Sequence, residues 1–263
     1  MIKFFSLFSG SSGNCSYITD GRTRILIDAG VSARRISTAL SDCDIDVSQI
    51  DAILVTHEHG DHIAGIDVLS RRRGLKVFAN DATLSAMKLS AQAYSNTTLI
   101  APKEKFAIGD IIIEPFVTPH DTPQSLGFVF TEGKSGKKLG FASDLGHISR
   151  EVDEALTGCE AIYLESNHDL DILLAGSYPY MLKKRISCER GHLSNDACAQ
   201  FLKKTCKDNT SRVMLGHLSR ENNYPHIAYE TSYKALAGEE ISVGHDMLLH
   251  IAPRDTCSEV ITL

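Results

Sequence analysis

The 263-residue chain reads as a mixed α/β protein. Three observations predict it. Short apolar runs of strand length recur between stretches that fit helices. The middle of the chain carries several such runs in succession, joined by Gly-containing turns. Hydrophobic residues make up 43% of the sequence, enough to bury a sizeable core.

The elements follow in order. Residues 2–8 and 16–19 are apolar runs that predict strands. Asp20-Gly21 marks a hairpin turn into a strand over 23–28, because a tight hairpin needs a residue that tolerates positive φ. A helix fits 32–41, a strand 52–56, a helix 61–71, a strand 76–79 and a helix 81–91. The β-rich middle has strands over 106–117, 126–130 and 138–143. The last part alternates again, with strands over 161–166 and 212–216, helices over 194–204 and 226–236, and a run at 247–251 that could close a sheet. No repeat, low-complexity tract or long linker divides the sequence, so residues 1–263 are expected to form one domain.

Composition excludes several classes. No apolar run reaches the ~18 residues of a membrane span. The apolar N-terminal run resembles a poor signal segment and is better read as a first strand. Seven cysteines, odd in number and without a C-x-x-C pair, suit free thiols in a reducing cytoplasm. The formal net charge is −6, so the chain does not grip nucleic acid by bulk charge, and any such contact must be local. The basic clusters at 71–73, 137–138 and 183–185 read as solvated faces.

The run His57-Glu58-His59-Gly60-Asp61-His62 directly follows the apolar run at 52–56. Imidazole and carboxylate are ligands for zinc and neighbouring transition metals. In extended chain, residues two apart point the same way, so His57 and His59 can grip one ion together. Asp61 and His62 follow as the chain turns, and can serve a second. Glu58 points away and reads as structural. More ligands are needed, and strand ends supply candidates: His120, Asp144 and His217 each follow an apolar strand-like run. Two divalent ions ~3.5–4 Å apart can share a bridging hydroxide and clamp a phosphate or carbonyl oxygen. No G-x-S-x-G is present to support a serine hydrolase.

This spacing resembles the metallo-β-lactamase superfamily, and within it the YycJ (VicX, WalJ) branch of bacterial hydrolases and nucleases. The resemblance spans nearly the whole chain. It is carried by the H-x-H-x-D-H run, Ser9-Gly10-Ser11-Ser12-Gly13-Asn14-Cys15, Ser143-Asp144-Leu145-Gly146, Glu165-Ser166-Asn167-His168-Asp169, Gly191-His192-Leu193-Ser194-Asn195 and His217-Leu218-Ser219-Arg220-Glu221-Asn222-Asn223. It implies an αβ/βα four-layer sandwich, with two mixed β-sheets flanked by helices. It also implies that His57, His59 and His120 hold one divalent ion, that Asp61, His62 and His217 hold another, and that Asp144 bridges them. Both zinc and manganese suit such ligands.

A second constellation concerns the leaving group. Hydrolysis of a phosphodiester expels an alkoxide, and a general acid helps by ~10²–10⁴-fold. His192 is the candidate acid, with Glu165 at a strand end as the carboxylate that keeps it protonated. The order Glu165, His192, His217 resembles nucleases of the ribonuclease Z type. The alternative is that His192 merely caps the helix starting near Ser194. After His217, the residues Ser219, Arg220, Asn222 and Asn223 offer phosphate donors, Arg220 bidentately. His168 matches the branch motif and could contact substrate or hold Asp169, with a plain loop histidine as the equal alternative. The Gly-rich loop at 9–14 is not a P-loop and reads as a tight turn beside the metal loops.

The activity this implies is a metal-dependent phosphodiesterase, specifically a DNA nuclease. The branch is associated with 5′-to-3′ exonuclease action and mismatch repair. A small-molecule hydrolase of the same fold, acting on a thioester, lactone or cyclic phosphodiester, is the alternative that the acidic net charge favours. A non-catalytic partner in cell-wall signalling is a third reading, against which the complete ligand set argues. The interval from Asp144 to His217 is too short for the extra domain of the β-CASP nucleases, and no insertion forms a tRNA-gripping arm.

Overall fold

Strands that are apolar at every position need cover on both faces. A computed structural model describing residues 1–263 meets that need with two stacked seven-stranded sheets between helices. The first half comprises β1 (Lys3–Phe8), β2 (Cys15–Thr19), β3 (Arg24–Ile27), α1 (Ala33–Asp42), β4 (Ala52–Leu54), α2 (Gly60–Ile63), α3 (Ile66–Arg73), β5 (Lys76–Ala79), α4 (Asp81–Ala86), α5 (Ala91–Tyr94) and β6 (Thr97–Leu99). The second half begins with β7 (Phe106–Ile108), β8 (Ile111–Thr118), β9 (Ser125–Glu132), β10 (Lys138–Ala142), α6 (Arg150–Leu156) and β11 (Ala161–Glu165). It continues with α7 (Leu170–Ala175), α8 (Tyr180–Ile186), α9 (Asn195–Thr205), β12 (Arg212–Gly216), α10 (Pro225–Ala237), β13 (Leu248–Ile251) and β14 (Ile261–Thr262).

One sheet has the order β14-β1-β2-β3-β4-β5-β6 and the other β13-β12-β11-β10-β9-β8-β7. In each, one half is antiparallel and the other parallel, with β3 to β6 and β10 to β13 running parallel. The period of two sorts the side chains between layers. Ile25 and Ile27 face the other sheet while Leu26 faces helices, and likewise Ala161 and Tyr163 point inward while Ile162 and Leu164 point outward. The result is three apolar layers, one between the sheets and one under each set of helices. This is the four-layer α/β/β/α arrangement. No helix is long and apolar enough to cross a membrane.

Several elements differ from the sequence reading. The helix expected over 61–71 is two helices. Gly65 donates to the Ala29 carbonyl, and a Cβ there would lie 2.5 Å from the Val31 carbonyl oxygen, so the chain breaks where it presses on the loop after β3. The helix expected over 81–91 stops at Ala86, where Met87 turns extended, and restarts under a Ser90 cap. The strand expected over 106–117 is a hairpin that reverses at Gly109, in the left-handed region at φ 56°. Helices α6, α7 and α8 and strands β6 and β14 were not signalled by periodicity, being too short to show one. The seven cysteines are all free thiols, as composition suggested. Cys43 and Cys257 approach to 2.8 Å where the C-terminal segment lies on α1.

Phe128 is fully buried in the layer between the sheets, beside Phe130. Removing its ring leaves a cavity that two stacked sheets cannot close. Phe128→Ala should therefore lower unfolding free energy in chemical denaturation by ~3–5 kcal/mol. A loss below ~1 kcal/mol would mean that the layer collapses into the space.

Candidate metal centre and active site

Parallel pairing brings the C-terminal ends of β3, β4, β10, β11 and β12 to one edge of the sandwich. Asp28 follows β3 and His57 lies just past β4. Asp144 lies just past β10, Glu165 ends β11, His217 follows β12, and His120 follows β8. Three of these adopt left-handed backbone: Asp28 at φ 60°, Asp144 at 55° and His217 at 53°. Non-glycine residues take this conformation at a cost of ~1 kcal/mol, and only where the surroundings hold them there. Each marks an abrupt turn at a strand end, which brings Asp144 and His217 to the crevice and Asp28 to His62.

Hydrogen bonds fix which nitrogen each imidazole offers. His62 Nδ1 donates to Asp28 Oδ2 at 2.7 Å, leaving Nε2 toward the crevice. Thr56 Oγ1 donates to Asp28 and so accepts from His57 Nδ1 at 2.9 Å. His120 Nδ1 donates to the Gly191 carbonyl at 3.0 Å. His217 Nδ1 donates to Glu165 Oε1 at 2.8 Å. His59 turns Nδ1 to His57 Nε2, 3.1 Å away, and Nε2 toward Asp121. Such outer partners orient ligating histidines and raise their basicity. Two of the inward nitrogens, His120 Nε2 and His217 Nε2, are buried with no hydrogen-bond partner. An orphaned buried nitrogen costs free energy unless something accepts its lone pair.

Four groups bring ligand atoms within 4.8 Å of one another: His57, His59 and His120; Asp61, His62 and His217; His57, His62 and Asp144; and Asp144, Glu165, His192 and His217. Asp144 lies between the first two. Its Oδ2 is 3.2 Å from His62 Nε2, and its Oδ1 is 3.5 Å from His217 Nε2 and 3.9 Å from His120 Nε2. Burial alone would raise the Asp144 pKa, but His217 and His62 outweigh it and hold the carboxyl well below its ordinary range. Burial alone would lower His217, but Asp144, Asp61 and Glu165 push it up to about 10. His62 is likewise raised by Asp144 and Asp28 against its burial. Burial drives His57 the other way, well below the ordinary imidazole value, with protonated His62 adding repulsion.

Glu165 is fully buried and has four hydrogen bonds. Oε1 accepts from His192 Nδ1 and His217 Nδ1, both at 2.8 Å, while Oε2 accepts from the backbone N–H of Leu145 and Leu193. Burial would raise its pKa, but the two imidazoles hold it at about 2. The His192 pKa is raised in turn, Glu165 and then Asp144 outweighing burial. Ser194 caps α9 by accepting from Ala197, so His192 is not spent as a cap. The crevice above these groups measures about 270 Å³.

The family described as the Beta-lactamase superfamily domain matches residues 23–218. This chain belongs to the metallo-β-lactamase superfamily. It is 36% identical to Exodeoxyribonuclease WalJ of Streptococcus pneumoniae, over 97% of this chain and 96% of the relative. It is 31% identical to Exodeoxyribonuclease YycJ of Bacillus anthracis, over 95% of this chain and 94% of the relative. The crystal structure of the metallo-beta-lactamase fold protein YhfI from Bacillus subtilis superposes with a TM-score of 0.73 at 16% identity, covering 99% of this chain and 98% of that one. The donor set fits divalent metal, as in a superfamily of metal-dependent hydrolases.

The structure gathers all seven metal candidates, with Glu165 and His192, around one crevice. The substrate candidates separate. Ser219 lines the crevice, whereas Arg220 is exposed outside its lining. Asn222 and Asn223 are buried, Asn222 on Ser219 and Asn223 bridging Ser166, Asn167 and Asn195. His168 is 1% exposed, lies behind the crevice, and has a pKa lowered to about 4, chiefly by burial. Glu58 has a buried carboxylate oxygen without a partner. The Gly-rich loop does pack beside the metal loops: Asn14 Nδ2 lies 3.0 Å from His62 Nε2, and Ser9 Oγ accepts from the His217 N–H. Sequence reasoning missed Asp28, Thr56 and Asp121. A strand-end Asp of the same kind as Asp144 was the available signal for Asp28, and adjacency to His120 was the one for Asp121.

Metal must displace protons from this site. His62 and His217 hold protons more tightly than free imidazole, and a proton on the ring nitrogen that takes an ion must leave. Calorimetric titration of the metal-free protein with Zn²⁺ in buffers of different ionisation enthalpy should show release of about one to two protons per chain near neutral pH, and apparent affinity should rise with pH. Binding without proton release would contradict the charge assignment.

Proposed function

We propose that the chain is a cytoplasmic, metal-dependent phosphodiesterase that degrades DNA as an exonuclease. The observation that carries it is the hydrogen bond from His192 to buried Glu165 at the edge of a cluster of metal-ligand side chains. His57, His59 and His120 would hold one divalent ion, Asp61, His62 and His217 a second, and Asp144 would touch both. Zinc and manganese both suit these donors. When bound, such ions polarise a phosphoryl oxygen and lower the pKa of water toward ~7.

The chain's own residues supply the rest. His192 Nδ1 is engaged by Glu165, which leaves Nε2 to meet the leaving oxygen. Glu165 raises the His192 pKa and so favours the protonated ring, which can hand its proton to an alkoxide. The relatives WalJ and YycJ, both called exodeoxyribonucleases, support DNA as the substrate. The 5′-to-3′ direction and a place in DNA repair follow from the branch resemblance. A second reading, a small-molecule hydrolase, is favoured by the net charge of −6 and by the modest crevice.

His192→Ala separates the two. A sugar alkoxide needs a proton to depart, and a nitrophenolate does not. DNA cleavage should fall about 10²-fold more than hydrolysis of bis(p-nitrophenyl) phosphate. In the wild type, DNA cleavage should decline as pH rises through the raised His192 pKa, while the activated substrate should not follow. Glu165→Gln is not a mild version of this change. It removes the charge beside His217 as well, and its amide N–H₂ would oppose the N–H groups of Leu145 or Leu193. Both substrates should suffer, and metal content should drop. Equal loss on both substrates in His192→Ala would remove His192 as the acid.

A further inference from the structure

Helix α8 buries none of its residues, so the core does not explain why it is there. It is nonetheless pinned at its C-terminal end. Arg185 Nε donates to Asp121 Oδ2 at 2.6 Å, and the His192 N–H donates to the Ile186 carbonyl at 2.8 Å. Gly191 lies so close beneath that a Cβ there would sit 2.2 Å from the Ile186 carbonyl oxygen. The helix is thus locked to the loop that carries His192, directly over the crevice.

The crevice is divided in chemistry. Its lining is polar apart from Tyr178, Leu182 and Ile186, which all come from one short segment and form one wall. The rest of the lining includes the imidazole and carboxylate cluster. A molecule that fits both sides must be strongly polar at one end and flat and apolar at the other. A nucleotide has that anatomy, with phosphate at one end and a base with an exposed π-face at the other. The last turn of α8 adds Lys183 and Lys184 beside the crevice, next to Arg185, which lines it and pairs with Asp121. This supplies the local contact that a nucleic-acid substrate needs when bulk charge does not.

We propose that Tyr178, with Leu182 and Ile186 behind it, forms a stacking wall for the base of the nucleotide being removed from a DNA strand. This rests on the reading of the site as a DNA exonuclease. Stacking on an aromatic face tolerates any base, so the wall would hold the strand end without choosing sequence. It would set the distance between base and scissile phosphate, and so favour cleavage one nucleotide at a time.

A cycle of two changes tests it. Steady-state cleavage by the metal-loaded full chain is measured for wild type, Tyr178→Phe and Tyr178→Ala. The DNA carries either an intact base or an abasic residue at the cleaved end. Tyr178→Ala should raise KM for intact DNA about tenfold, the lower range for loss of one base stack. Tyr178→Phe should stay within about twofold of wild type, since the ring is kept. On abasic-ended DNA, Tyr178→Ala and wild type should have equal KM. If Tyr178→Ala raises KM equally on both ends, Tyr178 is structural and the wall is wrong, while the nuclease reading stands. If wild type cuts neither DNA with Zn²⁺ or Mn²⁺ yet hydrolyses bis(p-nitrophenyl) phosphate, the nuclease reading falls and the wall with it.

Discussion

Carboxylates Asp28, Asp61, Asp121, Asp144 and Glu165 lie in or beside one crevice with six imidazoles, and the charge balance there governs the surrounding structure. Asp28, Asp144 and Glu165 are almost entirely buried. A buried carboxylate without compensation costs several kcal/mol. In the protein alone the neighbouring imidazoles compensate, and the carboxylates in turn raise the pKa of His62, His217 and His192. A divalent ion held by these side chains would supply positive charge in place of the protons it displaces. The left-handed turns at Asp28, Asp144 and His217 make sense in this light. Each turn costs about 1 kcal/mol and each brings a charged group to where its partner lies.

The two sheets contribute unequal shares. The first sheet and its loops supply His57, His59, Asp61 and His62, buttressed by Asp28 and Asn14. The second supplies His120, Asp144, Glu165, His192 and His217. Asp144 faces both sets, so the geometry of the site depends on how the sheets are stacked. Close contacts fix the loops within each half, and Ser9 links the two halves. A Cβ on Gly30 would lie 1.6 Å from the Asp61 carbonyl oxygen, and one on Gly216 would lie 2.0 Å from the Tyr163 hydroxyl. The same Tyr163 hydroxyl meets Ser9 Oγ, which in turn accepts from the His217 N–H. Glu165 adds a further constraint. Because one oxygen accepts from both His192 and His217, a change at Glu165 reaches both imidazoles together.

Much of the site was legible because it obeys local rules. His57, His59, Asp61 and His62 stand in one short motif, and His120, Asp144 and His217 each follow an apolar strand. Glu165 and His192 came through the resemblance. What was illegible depends on chain segments far apart in sequence. Asp28 supports His62 across 34 positions, and its place at a strand end marks it as a site residue without showing which histidine it meets. The polar residues after His217 looked alike in sequence, yet Ser219 faces the crevice, Asn222 and Asn223 point into the protein, and Arg220 faces solvent. In the fold, long strands were legible from their apolar runs. The break at Gly65 was not, because its cause is the Val31 carbonyl. Helix α8 has no buried face, so it has no periodicity to read.

If buried charge is the organising constraint, the crevice must accept cations in fixed number. The direct test is elemental analysis of the purified chain after metal loading and removal of excess ion. Two equivalents of divalent metal per chain is the predicted result. Less than one equivalent, even after soaking in Zn²⁺ or Mn²⁺, would contradict the account and mean that protons alone balance the site.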